Sequence, residues 1–465
     1  MHGLEARAVF MWRFAMKNPL LVPELRAMME AGDAEALRDF CEVGNSSLVA
    51  ELVGALSPAE IWQVLRHAPL PLRAEIFSHL ELELQVEVIE LLGRRDAAQL
   101  LAEMSPDDRA DLYNDLPEKT REAVLPALAQ AEREDIRRLA AYQEDTAGAV
   151  MTSDYAFVSE HLTAAQAVDR LREVAPDTET IYYAYVVGEN RKLLGLVSLK
   201  DLIVARRDAK VGDLMARDLV FARVDEDREE AARKLQQHDL LALPVVDNGG
   251  TLVGIITHDD VLDVAEEEAT EDFHKGMAIQ PLNTTLLRAR FGLLYQRRIS
   301  WLVLLVFVNI FSGAGIAYYE ELIESVVALV FFLPLLIDSG GNSGSQAATI
   351  VVRSMALGEI KLRDYFRVLF KEVAVAFALG LTMALAVFFL AWWRSGIDVA
   401  GVVAISMVAI VFLGSLIGTS LPFILNKLKM DPAAASAPLV TSMADIMGVL
   451  IYLTIAQSLL GIVVE

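Results

Sequence analysis

The sequence predicts a multidomain membrane protein: an α-helical superhelical domain, a duplicated α/β domain, a long connecting helix and a five-helix transmembrane domain. Three observations carry this reading. Charge and apolarity are segregated along the chain, two internal repeats fill the charged part, and the apolar part holds five runs of bilayer length. The 465 residues include 64 acidic and 41 basic side chains, a formal charge of −23, with 54% apolar residues and a mean hydropathy of +0.39. So acidic a balance argues against a nucleic-acid partner. The first 290 residues hold 53 acids and 31 bases, the last 175 only 11 and 10. A single cysteine, Cys41, excludes an intrachain disulfide or a Cys-rich metal site and fits a reduced cytosol.

Residues 1–23 interleave Glu5, Arg7, Arg13 and Lys17 with apolar positions and meet Pro19. No cleavable signal is legible, and the segment reads as an amphipathic helix lying on a surface or membrane, or packed on the next domain. Residues 24–140 carry a 48-residue repeat that matches Ser57-Pro58-Ala59-Glu60 with Ser105-Pro106-Asp107-Asp108, Arg73 with Arg121, and Leu80 with Leu128. Ser as N-cap, Pro at the first helical position and an acid at the third are helix-start chemistry, so a superhelical array of short helices is expected.

Residues 141–265 repeat at a separation of 59: Val186, Val187, Gly195, Leu196, Val197 and Asp201 match Val245, Val246, Gly254, Ile255, Ile256 and Asp260, and Val150-Met151 resembles Leu214-Met215. Each copy reads as strand, turn, strand, helix. The pattern resembles a tandem cystathionine-β-synthase (CBS) pair, about 148–205 and 211–265, a module that commonly senses ligands; ATP is a candidate ligand there. Between 259 and 272 stand Asp259, Asp260, Asp263, Glu266, Glu267, Glu268, Glu271 and Asp272, with no Lys or Arg among them. Like-charge pairs four apart cost a helix about 0.2–0.5 kcal/mol each. A solvated face or a basic partner would relieve them, but the run leads through a connecting helix expected over 266–296, past Leu286, Leu287, Arg288 and Arg290, into the first span. A divalent-ion switch is therefore the stronger reading.

Five spans are predicted at about 299–319, 322–352, 373–393, 399–426 and 433–464, each near the roughly 20 residues a bilayer requires. Arg297, Arg298, Arg353, Lys361, Arg363, Arg367, Lys371, Lys427 and Lys429 flank one side, whereas Arg394 stands with Glu320, Glu321 and Glu324 on the other. That bias places the amino-terminal domain in the cytoplasm and the carboxyl terminus outside the plasma (inner) membrane. In span two, Asp338, Asn342, Ser343, Ser345 and Gln346 form an oxygen-rich stretch broken by glycines that allow close backbone approach. Span five carries Thr441, Ser442 and Asp445 after Pro438, a proline expected to free a carbonyl one turn earlier. Counted from residue 433, Asp445 lies roughly 18 Å deep, near the midplane. An intramembrane carboxylate normally faces a cavity or partner, the alternative being one bound up in packing by nearby hydroxyls. Carboxylate, amide, hydroxyl and carbonyl suit hard cations, magnesium foremost. A dimer about the pore axis would supply two aspartates.

The helical repeat, a CBS pair ending in EEEATED, and spans holding PLLIDSGGNSGSQAAT and DPAAASAPLVTSMADIMG together resemble the MgtE family of magnesium channels over nearly the whole chain beyond residue 20. The resemblance implies a homodimer in membrane lipid whose pore lies between subunits, with Asp445 at the ion site and the Thr441 carbonyl assisting. It also implies closure by cytosolic Mg2+ bridging Asp239, Asp260, Asp263, Glu268, Glu271 and Asp272 to acids of the helical domain, for which Asp107, Asp108 and Asp111 are candidates. Two rival readings stand beside this one. An intramembrane aspartyl protease using Asp338 and Asp445 lacks the Gly-x-Gly-Asp and Tyr-Asp contexts, so no enzyme is expected. A CBS-based nucleotide receptor without ion flux is the other.

Overall fold

A computed structural model describes residues 21–280, 286 and 289–461, so the predicted segment 1–23 lies almost wholly outside the described residues, as do Leu287 and Arg288. The chain divides into two compact units, Met1–Glu266 and Glu267–Glu465.

Ten short helices open the first unit: α1 (Leu21–Ala31), α2 (Ala34–Val43), α3 (Ser46–Val53), α4 (Pro58–Leu65), α5 (Leu70–Ser78), α6 (Leu82–Leu91), α7 (Arg94–Glu103), α8 (Pro106–Asp115), α9 (Glu118–Val124) and α10 (Gln130–Leu139). None is long enough to be stable alone, so each buries an apolar face on its neighbours. Leu37, Phe40, Val64, Phe77, Val88 and Leu100 are among the residues of one continuous core. Ser57 caps α4 in a complete capping box with Glu60, while Ser105 starts α8 without a side-chain cap. Arg73 lies over Trp62 at 5.3 Å and Arg121 over Tyr113 at 5.9 Å. Arg109 is buried and paired with Asp135 at 3.1 Å, and Asp135 accepts from the Ser153 hydroxyl at 2.9 Å, which fastens α8 to the α/β region.

Each α/β repeat is a three-stranded sheet. In the first, β1 (Tyr155–Val158) runs parallel to β2 (Thr180–Val187), which is antiparallel to β3 (Leu193–Ser198); β4 (Ala222–Arg223), β5 (Ala242–Val246) and β6 (Leu252–Thr257) repeat this. Val186 pairs with Gly195 and Val245 with Gly254, so the 59-residue offset is a register as well as a sequence match. The glycines have a packing reason: a Cβ on Gly195 would lie 2.6 Å from the Met215 sulfur, and one on Gly254 equally close to that of Met151. Each repeat's leading methionine thus covers the other repeat's glycine. The helices are α11 (Ala164–Val174), α12 (Leu199–Val204), α13 (Val211–Leu214), α14 (Arg228–Gln237) and α15 (His258–Gly276). The predicted connecting helix over 266–296 is corrected here: α15 begins inside the second repeat and stops at Gly276, Ala278 has a φ of +59°, and the next helix starts at Phe291.

The second unit is built from α16 (Phe291–Tyr318), the short α17 (Glu320–Ser325), α18 (Ala328–Ala356), α19 (Tyr365–Ser395), α20 (Ile397–Lys427) and α21 (Ala437–Leu460). Among the described residues four helices are long and apolar enough to cross a membrane, namely α16, α19 with its preceding turn, α20 and α21. The predicted second span is α18, 29 residues long, whose polar stretch sets it apart. Its start also differs, because the chain breaks at Val326 and Val327, so Leu322 and Ile323 belong to α17. At one end the Tyr452 hydroxyl donates to the Leu329 carbonyl at 3.0 Å, joining α21 to α18.

The closest approach in this unit is α18 on α20. A Cβ on Gly418 would fall 1.9 Å from the Gly344 carbonyl oxygen, and one on Gly414 2.3 Å from that of Gly340. Two small-xxx-small pairs therefore cross backbone to backbone, the packing open to helices that have no hydrophobic drive to associate in lipid. The close backbone approach expected of these glycines is an approach of helix to helix. Gly418→Ala should lower the thermal unfolding midpoint in detergent by the equivalent of about 1–3 kcal/mol of overpacking. Gly401→Ala, on the same helix where a Cβ meets nothing within 4 Å, should leave it unchanged; equal midpoints for the two would remove the crossing.

Candidate functional site

The membrane residues fall on two faces of α18. Asp338, Asn342, Gln346 and Thr349 are exposed, with Ser345 half-buried beside them, at the spacing of one helical face. Asn342 donates to the Asp338 carboxylate at 2.9 Å, and Thr349 to the Ser345 carbonyl at 2.8 Å. Ser343 does not join this face, contrary to the sequence reading: it is buried, with its hydroxyl 2.6 Å from that of Ser415 on α20. A face of carboxylate, amides and hydroxyls is costly against hydrocarbon.

Helix α21 runs beside that face. The Ser345 hydroxyl donates to the Ala437 carbonyl at 3.2 Å and lies 3.1 Å from the Thr441 hydroxyl, while a Cβ on Gly341 would come within 2.8 Å of the Thr441 methyl carbon. Asp445 stands one turn beyond Thr441, half-buried, its Oδ1 enclosed without a hydrogen-bond partner and Asp338 as its charged neighbour. Two expectations change. Pro438 sits in the first turn of α21, where the chain has no intrahelical bond to lose, so it frees no carbonyl. Because α21 starts at Ala437, Asp445 is about 12 Å from its start, short of the midpoint of a helix of 24 residues.

A second acidic group forms in the first unit. Asp107 and Asp108, in the first turn of α8, come into charge range of Asp260, in the first turn of α15. Thr257 donates from its backbone to Asp260 at 3.0 Å, and its hydroxyl is 2.5 Å from a carboxylate oxygen of both Asp259 and Asp260. Glu179, in the loop before β2, completes the group, and sequence reasoning missed it. Its one available signal was the 59-residue register, which sets it opposite His238, next to Asp239. Asp239 itself lies exposed after α14 with a φ of +50° and is not among the charges that act most on this group. Asp111 is exposed one turn further along α8; Asp263, Glu268, Glu271 and Asp272 follow along α15.

Burial, then Asp260, Asp108 and Glu179, holds the Asp107 carboxyl well above the usual carboxylate range. Asp260 is pushed up to about 6 by burial, with Asp259 and Asp108 adding to it and the Thr257 hydrogen bonds opposing. Glu179 reaches about 7 through burial of its carboxylate, with the charges of Asp259, Asp260, Asp108 and Asp154 adding to it. Among the described residues no three acidic, His or Cys side chains converge closely enough to hold an ion directly. The donor set fits a hard cation that keeps its water shell.

A membrane domain with an oxygen-rich face, in one chain with a duplicated α/β module and an acidic cluster, fits the class of cation transporters. A family profile described as a divalent cation transporter (MgtE) matches residues 333–455, the MgtE intracellular N domain matches 45–145, and CBS domains match 147–208 and 211–267. The chain is 39% identical to the magnesium transporter MgtE of Thermus thermophilus over 95% of its own length and 98% of that relative's. It is 34% identical to that of Bacillus subtilis over 83% and 85%. A crystal structure of the soluble part of a magnesium transporter, 29% identical, covers 53% of this chain and 97% of that one with a TM-score of 0.50. The cytosolic domain of the Mg2+ channel MgtE in complex with ATP, 39% identical over 52% of this chain and 98% of that one, has a TM-score of 0.49. The chain belongs to the MgtE family of magnesium transporters.

The raised acids set a pH dependence. Their folded values lie above the usual 4 or so, which means the clustered arrangement binds protons more tightly than the opened one. Its stability is full below about pH 4 and is lost as pH rises through about 6–7. In chelator, protease resistance of residues 21–266 within the full-length protein should fall between pH 5.5 and 8, and Glu179→Gln should flatten that fall. Resistance that rises with pH over this range would contradict the cluster.

Proposed function

We propose that this chain is a channel that imports Mg2+ across the plasma (inner) membrane, through a pore on the axis of a homodimer, and that cytosolic Mg2+ closes it. The carrying observation is the exposed polar face of α18 lying against Thr441, with one oxygen of the Asp445 carboxylate enclosed without a hydrogen-bond partner. Lipid is a poor solvent for such a face, and a second copy across a water-filled axis supplies both an aqueous boundary and a second aspartate. Asp338, Asn342, Ser345 and Gln346 then line the passage, with the Thr441 carbonyl beside Asp445. A hydrated Mg2+ is held there through its waters, since one acid per subunit gives too little charge to strip them.

For closure, the sensor acids are Asp107, Asp108 and Asp260 with Glu179 added, and Asp239, Asp263, Glu268, Glu271 and Asp272 from the family pattern, Asp111 remaining a candidate. Two carboxylates about 6 Å apart repel by roughly 3 kcal/mol at an effective dielectric of 20. Moving a two-state equilibrium from one state to the other takes about 5.5 kcal/mol, so two or three bridged pairs suffice. Scarce Mg2+ leaves the repulsion unopposed and the pore open; plentiful Mg2+ bridges the acids and closes it. The Lys and Arg bias supports a cytoplasmic side for the sensing domains. ATP is the ligand we propose for the CBS pair, on the general use of that module as a ligand sensor.

Asp445→Ala should abolish Mg2+ entry into liposomes read with a magnesium-sensitive dye, while the protein stays folded and dimeric; unchanged flux would remove Asp445 from the passage. Neutralising Glu268, Glu271 and Asp272 together should shift inhibition by cytosolic-side Mg2+ to higher concentration, and superimposable inhibition curves would refute the switch.

A further inference from the structure

Lys275 is the first Lys or Arg after Lys234, so it closes a stretch of strongly acidic chain. It sits one residue before the end of α15. Its ammonium donates to the Glu271 carboxylate at 2.5 Å, one turn back on its own helix, and to Asp431 at 2.6 Å, a residue 156 positions away in the loop between α20 and α21. The second oxygen of Asp431 accepts from the Ala433 amide at 2.8 Å and so starts the single 3-10 turn Pro432–Ala434. Two residues further on, Ser436 leads into α21, and the carbonyl of Ala437, its first residue, takes the Ser345 hydrogen bond from the polar face of α18. Continuous contacts thus lead from the end of α15, through one ammonium, to the turn that sets the first residues of α21. The two carboxylates hold that ammonium well above its ordinary pKa against the effect of its burial, so it is charged at every physiological pH.

We propose that Lys275 is a positioning residue for ion passage: a built-in cation that docks the end of α15 on the segment starting α21 and sets the Mg2+ concentration at which the passage closes. This rests on the gating reading above. The logic is charge accounting at one junction. Glu271 and Asp431 face each other across two elements and would repel if nothing positive stood between them; a divalent ion could do that, and here a covalently attached charge does it at all Mg2+ concentrations. Docking is then partly accomplished before any ion binds, and less Mg2+ is required to complete closure. The three side chains are 31–39% exposed, so the tie is screened and acts as an adjustment rather than a lock.

The test uses the full-length protein in liposomes, with Mg2+ varied on the cytosolic side and a magnesium-sensitive dye as readout. Lys275→Met should keep flux at low Mg2+ and raise the inhibitory midpoint about fivefold, at the lower end of typical coupling between sites. Lys275→Arg should stay within twofold of wild type. The exchange pair Lys275→Asp with Asp431→Lys should bring the midpoint back toward wild type, which loss of a merely structural residue would not do. A Lys275→Met curve identical to an inhibited wild type overturns the proposal. Hydrogen exchange at the 433–440 amides, measured without Mg2+, is independent of gating: it should quicken in Lys275→Met, and unchanged exchange overturns the tie even where wild-type flux shows no inhibition, the result that would instead defeat the gating reading.

Discussion

Asp445 has one carboxylate oxygen enclosed with no hydrogen-bond donor, in a domain where four of the long helices are apolar enough to cross a membrane. Such a group is tolerated only where water, a cation or a donor is close, and the rest of the membrane unit can be understood as satisfying that requirement. The polar face of α18 must lie along α21, so Gly341 gives room to Thr441 and Ser345 reaches the first carbonyl of α21. That placement depends in turn on how deeply α18 beds into α20, fixed by glycines 340, 344, 414 and 418. Small residues on one side of α18 and oxygen ligands on the other are two halves of one arrangement.

The soluble unit handles charge differently. Asp107, Asp108, Glu179, Asp259 and Asp260 gather within range of one another, and the strain appears at Asp107, Glu179 and Asp260, whose carboxyl groups hold their protons to higher pH. Such a cluster is held together by the packing beneath it, where buried Arg109 and Asp135 fix α8 next to the second repeat. Packing supplies the stability and the acids draw on it, which leaves the arrangement sensitive to any positive species. On the proposed reading that sensitivity is the signal.

Much of this was legible in the sequence, for reasons that differ by element. The 59-residue repeat gave strands, register and glycines together, because a duplicated module repeats its constraints. Helix starts marked by Ser-Pro stand where their chemistry puts them, at α4 and α8. Boundaries within apolar runs were less readable: hydropathy does not register the break at 326–327 that separates α17 from α18, nor the late start of α21. Ser343 leaves the oxygen-rich face because composition cannot tell which side of a helix faces its neighbour; its hydroxyl lies against Ser415. Glu179 was missed for the opposite reason, since Asp107, Asp108, Asp259 and Asp260 lie about 70–80 residues from it along the chain, in either direction.

Lys275 shows what a close reading of charge adds to the fold. The acidic run along α15 is read from sequence as awaiting a counter-ion, and at its far end the chain provides one of its own. A fixed charge and a diffusible ion have different consequences at such a junction. The ion comes and goes with concentration, so it can report; the lysine cannot, so it can only set the level from which the report is measured. A junction built wholly of acids would require ions for every increment of docking, with a steep response at high concentration. One built wholly of internal ion pairs would not respond at all. Mixing them, with Lys275 answering Glu271 and Asp431 on a helix that also carries Glu268 and Asp272, gives a response whose midpoint is tunable by single charges at its edge.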